Sequence, residues 1–312
     1  MGHSAPGRIP LMSTPTASAP FGARRRLSAF FYRHRWLKLL GLLVPPLGWL
    51  VVVYLAALVV LLATAFWQQD ELSGQIIHTF TWDNVRTVKD DPTLHAVTRQ
   101  TVQMAVLVTI TDIVLAFPLA YYMARVASRG IRALLFVGVL MPLWSSYLIK
   151  AYTWRLMTGD AGTINWALAK LDLGPLHIAF STTAMWLAFT YIWLPYMVLP
   201  IYAALERIPG SLIEASGDLG GRSWRTLRSV IMPLALPGIA AGSIFTFSLT
   251  LGDYIMVDLV GGNKTDFLGS VIFRYQGIAN DLPLAAAIAL VPVVVITVYL
   301  LLVKQLGAFE AL

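Results

Sequence analysis

The sequence predicts an all-α membrane protein in which six transmembrane helices pack as a bundle. Hydrophobic residues make up 57% of the 312 positions and charged residues only 12%, and the mean hydropathy is +0.70. A soluble domain is about one quarter charged, so this chain lacks roughly half of the charge that a water-facing surface requires. Six apolar stretches reach the roughly 20 residues that cross a bilayer, and lysine and arginine are concentrated between alternate stretches.

Each predicted span contains at least one proline. A proline inside a helix costs about 3 kcal/mol in water, whereas in a membrane neighbouring helices and side chains satisfy the freed carbonyl groups. The prolines therefore indicate either tolerated kinks or bent helices that line a cavity of changing shape. The predicted spans are 39–66, 101–126, 131–157, 182–205, 230–256 and 284–306.

The distribution of positive charge predicts the orientation. With the N-terminus in the cytoplasm, the cytoplasmic segments hold fifteen lysines and arginines and the other face holds eight. This bias favours both termini in the cytoplasm. The connection between the first two spans is acidic, which suits the outer face, and its carboxylates are Asp70, Glu71, Asp83, Asp90 and Asp91.

The chain divides into an N-terminal tail and a membrane domain. Residues 1–36 are rich in serine, proline, glycine, alanine and arginine without helical periodicity, which predicts a disordered, basic cytoplasmic tail. Residues 37–312 form the predicted transmembrane domain. The first apolar run is long enough to remain as an anchor, unlike the short apolar core of a cleaved signal peptide.

Several functions are excluded by what the sequence lacks. There is no cysteine, and the five histidines are scattered, so neither a thiolate nor a paired-histidine metal site is predicted. No nucleophile elbow, HExxH pair or phosphate-binding P-loop occurs, so no catalytic residue is predicted and the chain is not expected to hydrolyse ATP. The net charge of +7 lies beside apolar runs, which indicates contact with membrane lipid and not with nucleic acid.

A polar connection, residues 206–228, lies on the predicted cytoplasmic side. Pro209 can begin a helix, and Ser211 and Glu214 have the spacing of a capping box. The pair Gly220-Gly221 supplies a positive-φ stop. A short amphipathic helix of this kind can dock in a groove of another protein. Its predicted apolar face consists of Leu212, Ile213, Ala215 and Leu219.

The same segment resembles the loop shared by permease subunits of binding-protein-dependent ABC importers. The family pattern is Glu-Ala-Ala, three residues, Gly, nine residues and then Ile-x-Leu-Pro. Serine here replaces the second alanine, valine the isoleucine and methionine the leucine, and each change roughly preserves side-chain size. The matching residues are Glu214, Ala215, Ser216, Gly220, Val230, Ile231, Met232 and Pro233.

The resemblance implies the fold of a type I ABC importer permease in the bacterial cytoplasmic membrane. It places a coupling helix in residues 206–228, seated in a cleft of a cytoplasmic ATPase. It also implies two such ATPase subunits, which bind ATP and Mg²⁺, a second homologous permease and an extracytoplasmic substrate-binding protein. No cofactor is expected in this chain itself.

Four residues are expected to couple the permease to the ATPase by this resemblance. Glu214 is expected to cap or pair within the segment, and Gly220 to let the chain turn sharply. The coupling residues are Glu214, Ala215, Asp218 and Gly220. Three nearby arginines could meet an acidic ATPase surface or act only as membrane-topology signals, and these are Arg222, Arg225 and Arg228.

Two further segments resemble permeases of the spermidine/putrescine type. One is residues 141–154 in the third span, and the other is Gly252-Asp253-Tyr254, near the outer end of the fifth span, followed by Gly261-Gly262. The resemblance implies a polyamine cargo and a heterodimeric pair of permeases. Another small organic solute, such as an opine-like compound, is the alternative cargo. A self-sufficient secondary transporter is a further alternative, but it requires internal repeats with matched broken helices, and these are not evident.

The chemistry of a polyamine indicates which side chains could contact it. Its ammonium groups call for carboxylates and for aromatic faces, whose cation–π contacts contribute about 0.5–2 kcal/mol each. Ionisable residues in spans are functional candidates by default. The substrate-pathway candidates are Asp253, Tyr254, Trp144 and Asp112, with Tyr147, Trp154, Trp193 and Tyr196 as further aromatic side chains.

Each of these candidates also has a structural interpretation. Asp112 could serve only to hydrogen-bond a neighbouring helix, and aromatic residues near span ends are common at the membrane interface. Lys150 could neutralise an acidic site, repel a cationic cargo or extend to the membrane surface.

Overall fold

The computed structural model describes Gly2 and residues 35–70, 73–262 and 265–305. The predicted disordered tail, residues 1–36, lies outside the described residues except for Gly2 and its last two positions, where the first helix begins. Glu71 of the acidic connection is outside them as well. The contacts of the chain divide it after Val60 into two units.

The described residues are almost entirely helical. The longer helices are α1 Arg35–Thr64, α3 Pro92–Tyr121, α4 Arg129–Trp144, α5 Tyr147–Thr158, α7 Thr182–Arg207, α10 Met232–Gly252, α11 Leu268–Gly277 and α12 Leu282–Gln305. The shorter helices are α2 Asp83–Asp90, α6 Thr163–Lys170, α8 Gly210–Asp218 and α9 Ser223–Thr226. Three π-helical turns cover Tyr122–Val126, Leu227–Ile231 and Val257–Gly261.

One small feature departs from the all-α prediction. Strand β1, Gln68–Gln69, pairs antiparallel with β2, Ile76–Ile77, in the connection after α1. Helices α2, α6 and α11 lie in the connections between the predicted spans and were not predicted either.

Helices α3, α7 and α10 pack against one another and form the core of the unit that begins at Leu61. A cluster of buried side chains near one end of these helices contains Val108 and Phe189, and a cluster near the other end contains Ala116 and Ile201. The second cluster adjoins residues 206–228, so we call that end of the bundle the loop end and the other the opposite end.

Close approach of α7 and α10 depends on Gly238. A Cβ atom at this position would lie 2.5 Å from the backbone oxygen of Pro200 and 2.6 Å from the Cβ atom of Ala204. Small residues allow helix backbones to approach in this way inside a membrane, where packing drives association.

The prediction of one continuous helix over residues 131–157 was wrong. The chain is extended at Ser145 and Ser146, and α4 meets the α5–α6 segment at an angle of 95°. Near the break the carbonyl oxygen of Pro142 accepts hydrogen bonds from the hydroxyl of Ser145, at 3.0 Å, and from Nζ of Lys150, at 3.1 Å. Among the described residues five helices are long and apolar enough to cross a membrane, and the bent pair makes a sixth only if it is counted as one span.

The other predicted spans form helices with shifted ends. Helix α3 begins at Pro92, earlier than predicted, because the carboxylate of Asp91 caps it by accepting from the amide of Thr93 at 2.7 Å. Helix α10 ends at Gly252, so Asp253 lies just past the fifth span and not within it.

Candidate functional site

Helix α8 begins differently from the prediction. Its N-cap residue is Pro209, and no side chain caps the helix, so the predicted capping box of Ser211 and Glu214 does not form. Proline suits this position because it has no amide hydrogen to leave unpaired. Only Ile208 and Pro209 separate α8 from α7, which makes the link between the two helices short.

The end of α8 confirms the expected sharp turn at Gly220. This residue has a φ of +77°, a conformation that L side chains adopt at a cost. The amide of Gly221 then donates to the carbonyl oxygen of Ser216 at 2.8 Å. The turn returns the chain towards α9 and the fifth span.

One face of α8 contacts the bundle and the other is open. Ile213 packs against the cluster at the loop end, and the hydroxyl of Ser216 is 2.9 Å from that of Thr226. The predicted apolar face does not form as a single packed surface, because Leu212 is 44% exposed and Leu219 is 88% exposed.

The coupling candidates lie on this open face. The four residues are exposed: Glu214, Ala215, Asp218 and Gly220. Glu214 makes no hydrogen bond or ion pair within the part of the chain that the structure describes, so the expected pairing inside the segment is absent. A short helix that is fixed along one side and bears unpaired carboxylates on the other can bind a protein surface.

At the opposite end, Asp253 is held by two hydrogen bonds. One carboxylate oxygen accepts from the backbone amide of Met256 at 2.8 Å, and the other accepts from the phenol of Tyr147. Tyr147 is the first residue of α5, immediately after the break in the third span. The break therefore brings a side chain of the third span to the end of the fifth.

Aromatic rings lie on one side of the Asp253 carboxylate, beginning with Tyr147, which donates to it. The rings of Tyr147 and Trp193 stack with centroids 6.0 Å apart, and Tyr196 lies edge-on to Trp193 at 5.8 Å. A cavity of about 270 Å³ borders these residues and is lined by Trp193, Ser248, Leu249, Gly252, Asp253, Tyr254 and Ile255. A carboxylate beside aromatic faces is the combination that an ammonium group requires.

The other pathway candidates are placed differently. Tyr254 adjoins the same cavity and stacks on Phe273 at 4.4 Å. Trp144 is the last residue of α4 and is 81% exposed, as expected for a ring at the membrane interface. The structure thus brings Asp253 and Tyr254 together without Trp144, and it adds Tyr147, which the sequence offered only as one aromatic residue of a span.

Asp112 is fully buried in α3, in the core formed with α7 and α10. Neither of its carboxylate oxygens has a hydrogen-bond partner among the described residues, so the predicted bond to a neighbouring helix is absent. Three other buried polar atoms on α7 and α10 also lack a partner there, and these are Oγ1 of Thr190, Nε1 of Trp193 and Oγ1 of Thr246.

The bundle has apolar helices long enough to cross a membrane, the exposed face of α8 at one end and the Asp253 carboxylate beside a cavity at the other. This arrangement is that of a membrane permease. Residues 102–308 match the family described as binding-protein-dependent transport system inner membrane component, and the chain belongs to this family. It is therefore a multi-pass inner-membrane permease of the ABC importer class.

Two similar proteins carry names of this class. The inner membrane ABC transporter permease protein YdcU of Escherichia coli strain K12 is 44% identical over 92% of this chain and 95% of its own length. The spermidine/putrescine transport system permease protein PotB of Salmonella typhimurium strain SL1344 is 31% identical over 83% of this chain and 90% of its own.

A solved structure confirms the predicted fold class. A bacterial alginate ABC transporter, in complex with its alginate pentasaccharide-bound periplasmic protein, contains a chain that superposes with a TM-score of 0.72. The match covers 92% of this chain and 98% of the other at 18% identity, which establishes a shared fold. The fold is that of type I ABC importer permeases.

Proposed function

We propose that this chain forms half of the translocation pathway of an ATP-driven importer for polyamines such as spermidine and putrescine. A second homologous permease supplies the other half, two cytoplasmic ATPases supply the energy, and an extracytoplasmic binding protein delivers the cargo. The observation that carries the proposal is the open face of α8, in the segment that resembles the coupling loop of the family. ATP is bound in the partner subunits and not in this chain.

The attachment of α8 supports its role as the coupling helix. At its start the helix is joined to α7 through two residues, and at its end the hydroxyl of Ser216 lies 2.9 Å from that of Thr226, which leads into the fifth span. Because both ends are attached, a push on α8 by a closing ATPase displaces the fourth and fifth spans together. This movement opens the cavity at one side of the membrane and closes it at the other.

The polyamine cargo is supported by the site at Asp253 and by the similarity to PotB. One carboxylate, two stacked aromatic rings and an adjoining cavity suit an ammonium group. Another small organic solute would be favoured instead if spermidine and putrescine failed to compete with one another for uptake by the whole transporter.

Crosslinking tests the coupling role directly, because the chain has no cysteine of its own. A photoactivatable crosslinker on Leu219→Cys is expected to capture the ATPase subunit. The same reagent on Leu173→Cys, an exposed residue at the opposite end, is the control and should not. Glu214→Ala is expected to abolish uptake while membrane insertion persists. Absence of the Leu219 crosslink, together with normal uptake by Glu214→Ala, would exclude α8 as the coupling helix.

A further inference from the structure

Arg125 joins two helices at the loop end. It lies in the π-helical turn Tyr122–Val126 that ends α3. Its guanidinium Nη2 donates to the backbone oxygen of Leu205 at 2.5 Å and to that of Ile208 at 2.6 Å. Both carbonyl groups belong to the C-terminal end of α7, where the helix leaves its last carbonyls without amide partners and carries partial negative charge.

The position of these carbonyls matters because they flank the link to α8. Leu205 is in the last turn of α7, and Ile208 is the residue before Pro209, the N-cap of α8. Arg125 therefore holds the hinge between the two helices and not merely the end of one.

A second arginine crosses the same junction from α4. Arg132 donates to the backbone oxygen of Ala124 at 3.4 Å and lies 3.8 Å from the carboxylate of Glu206 on α7. The hydroxyl of Tyr202 also donates to Glu206, at 3.0 Å. This ion pair is half exposed, so it supports the junction weakly compared with the backbone contacts of Arg125.

We propose that Arg125 is a positioning residue that makes α8 and the end of α3 move as one body. The inference rests on the proposed coupling role of α8. Through the two hydrogen bonds of Arg125, displacement of α8 by the ATPase also displaces the second span. Helices held only by side-chain packing could slide past one another. A guanidinium that is hydrogen-bonded to two backbone oxygens resists both translation and rotation of the link between α7 and α8.

A distance measurement between spin labels tests whether the two elements move together. Labels on Leu219→Cys, after α8, and Val114→Cys, on α3, both use exposed positions of the cysteine-free chain. The protein is studied in lipid nanodiscs with the ATPase that copurifies with it. The expected distance distribution is narrow and is the same in the nucleotide-free and ATP-trapped states.

Arg125→Met keeps the aliphatic stem and removes the hydrogen bonds. In this variant the label distance is expected to broaden and to shift when ATP is trapped. Uptake is expected to fall by about 5–150-fold, the usual range of coupling between distant sites, while the ATPase rate is retained. Arg129→Met is the matched control, because Arg129 is exposed and makes no hydrogen bond or ion pair within the described ranges.

Three outcomes would overturn the proposal. The first is a wild-type label distance that changes with nucleotide, and the second is an Arg125→Met variant that behaves like Arg129→Met. If Arg125→Met fails to accumulate, Arg125→Gln replaces it, since a glutamine stays polar but is uncharged and two atoms shorter, so its amide cannot reach the two carbonyl oxygens that Nη2 of Arg125 contacts. An unchanged label distance and uptake in that variant is the third overturning outcome. Loss of the Leu219 crosslink to the ATPase contradicts the coupling role of α8 instead, so the two failures are distinguishable.

Discussion

Asp253 combines two roles at the level of single residues. One oxygen of its carboxylate accepts from the amide of Met256 and so fixes the turn after α10, while the other accepts from Tyr147. A cationic cargo that enters the adjoining cavity therefore meets a carboxylate that is already oriented. Only the bond to Tyr147 has to be exchanged when an ammonium group binds.

Asp253→Asn is expected to weaken spermidine uptake. The substitution preserves side-chain size but removes the negative charge, and a hydrogen bond to a charged group contributes about 1.5–3 kcal/mol, which corresponds to about a 10- to 160-fold rise in KM. Competition uptake with spermidine, putrescine and an uncharged solute measures the effect. Asp160→Asn is the control, because the carboxylate of Asp160 is 70% exposed.

Tyr147→Phe separates the hydrogen bond to Asp253 from the ring stacking at the same site. Phenylalanine keeps the ring that stacks on Trp193 but cannot donate to Asp253, so KM for spermidine is expected to fall. If Asp253→Asn transported spermidine with the KM of the wild type, Asp253 would be a structural cap and not a cargo residue.

Gly220 fixes the end of α8 through its backbone conformation. Gly220→Ala forces a Cβ atom into a left-handed conformation, at a cost of about 1–2 kcal/mol, and is expected to reduce uptake by misplacing α8. Gly217→Ala is the matched control, because Gly217 is helical with open space around it and alanine raises helix propensity by about 1 kcal/mol. Equal uptake by the two variants, normalised to membrane content, would show that the turn at Gly220 is dispensable.

At the scale of elements, the core depends on the close contact of α7 with α10. Gly238→Leu is expected to separate these helices, because the added Cβ meets backbone atoms that cannot rotate away. Overpacking of this kind costs about 1–3 kcal/mol. Thermal unfolding in detergent measures the loss, and Gly138→Leu is the control because Gly138 has open space around it on α4. Equal melting temperatures for Gly238→Leu and Gly138→Leu would mean that α7 and α10 can separate without loss of stability.

The sequence predicts the helices better than it predicts the break between α4 and α5. Five spans follow from long apolar runs. Residues 131–157 are also apolar along their whole length, so their composition gives no sign of the non-helical backbone at Ser145 and Ser146. Proline inside a membrane helix is compatible with either outcome, so Pro142 was not decisive. The break is fixed by contacts distant in sequence, such as the bond of Tyr147 to Asp253.

The candidate site, like the fold, was predicted from the sequence only in part. Gly220 was predicted from its residue type, because few other residues adopt positive φ. The arrangement of Arg125 was not predicted, because its partners are backbone oxygens 80 and 83 residues away and carry no sequence signal. The positive charge of Arg125 was interpreted only as part of the topology signal.

For the whole molecule, the junction at Arg125 predicts how the bent pair is counted. It fixes the end of α3 and the end of α7 on the same side. Helix α7 has 26 residues, so it is about 39 Å long, which is enough to cross a bilayer. If α7 crosses, the chain between α3 and α7 is expected to cross as well, so that α4 with the α5–α6 segment makes one complete crossing and not a re-entrant loop.

Thiol labelling in intact spheroplasts tests this topology together with the predicted cytoplasmic termini. Leu173→Cys, between α6 and α7, is expected to react with a membrane-impermeant maleimide added outside. Leu219→Cys is expected to react only after the membrane is permeabilised, because the excess of lysine and arginine predicts that the loop end faces the cytoplasm. Both positions are exposed, so a difference in reaction reports sidedness and not burial. Labelling of both from one side would mean that α4 and α5 turn back within the bilayer, and reversed labelling would place the open face of α8 outside the cell, beyond the reach of any ATPase.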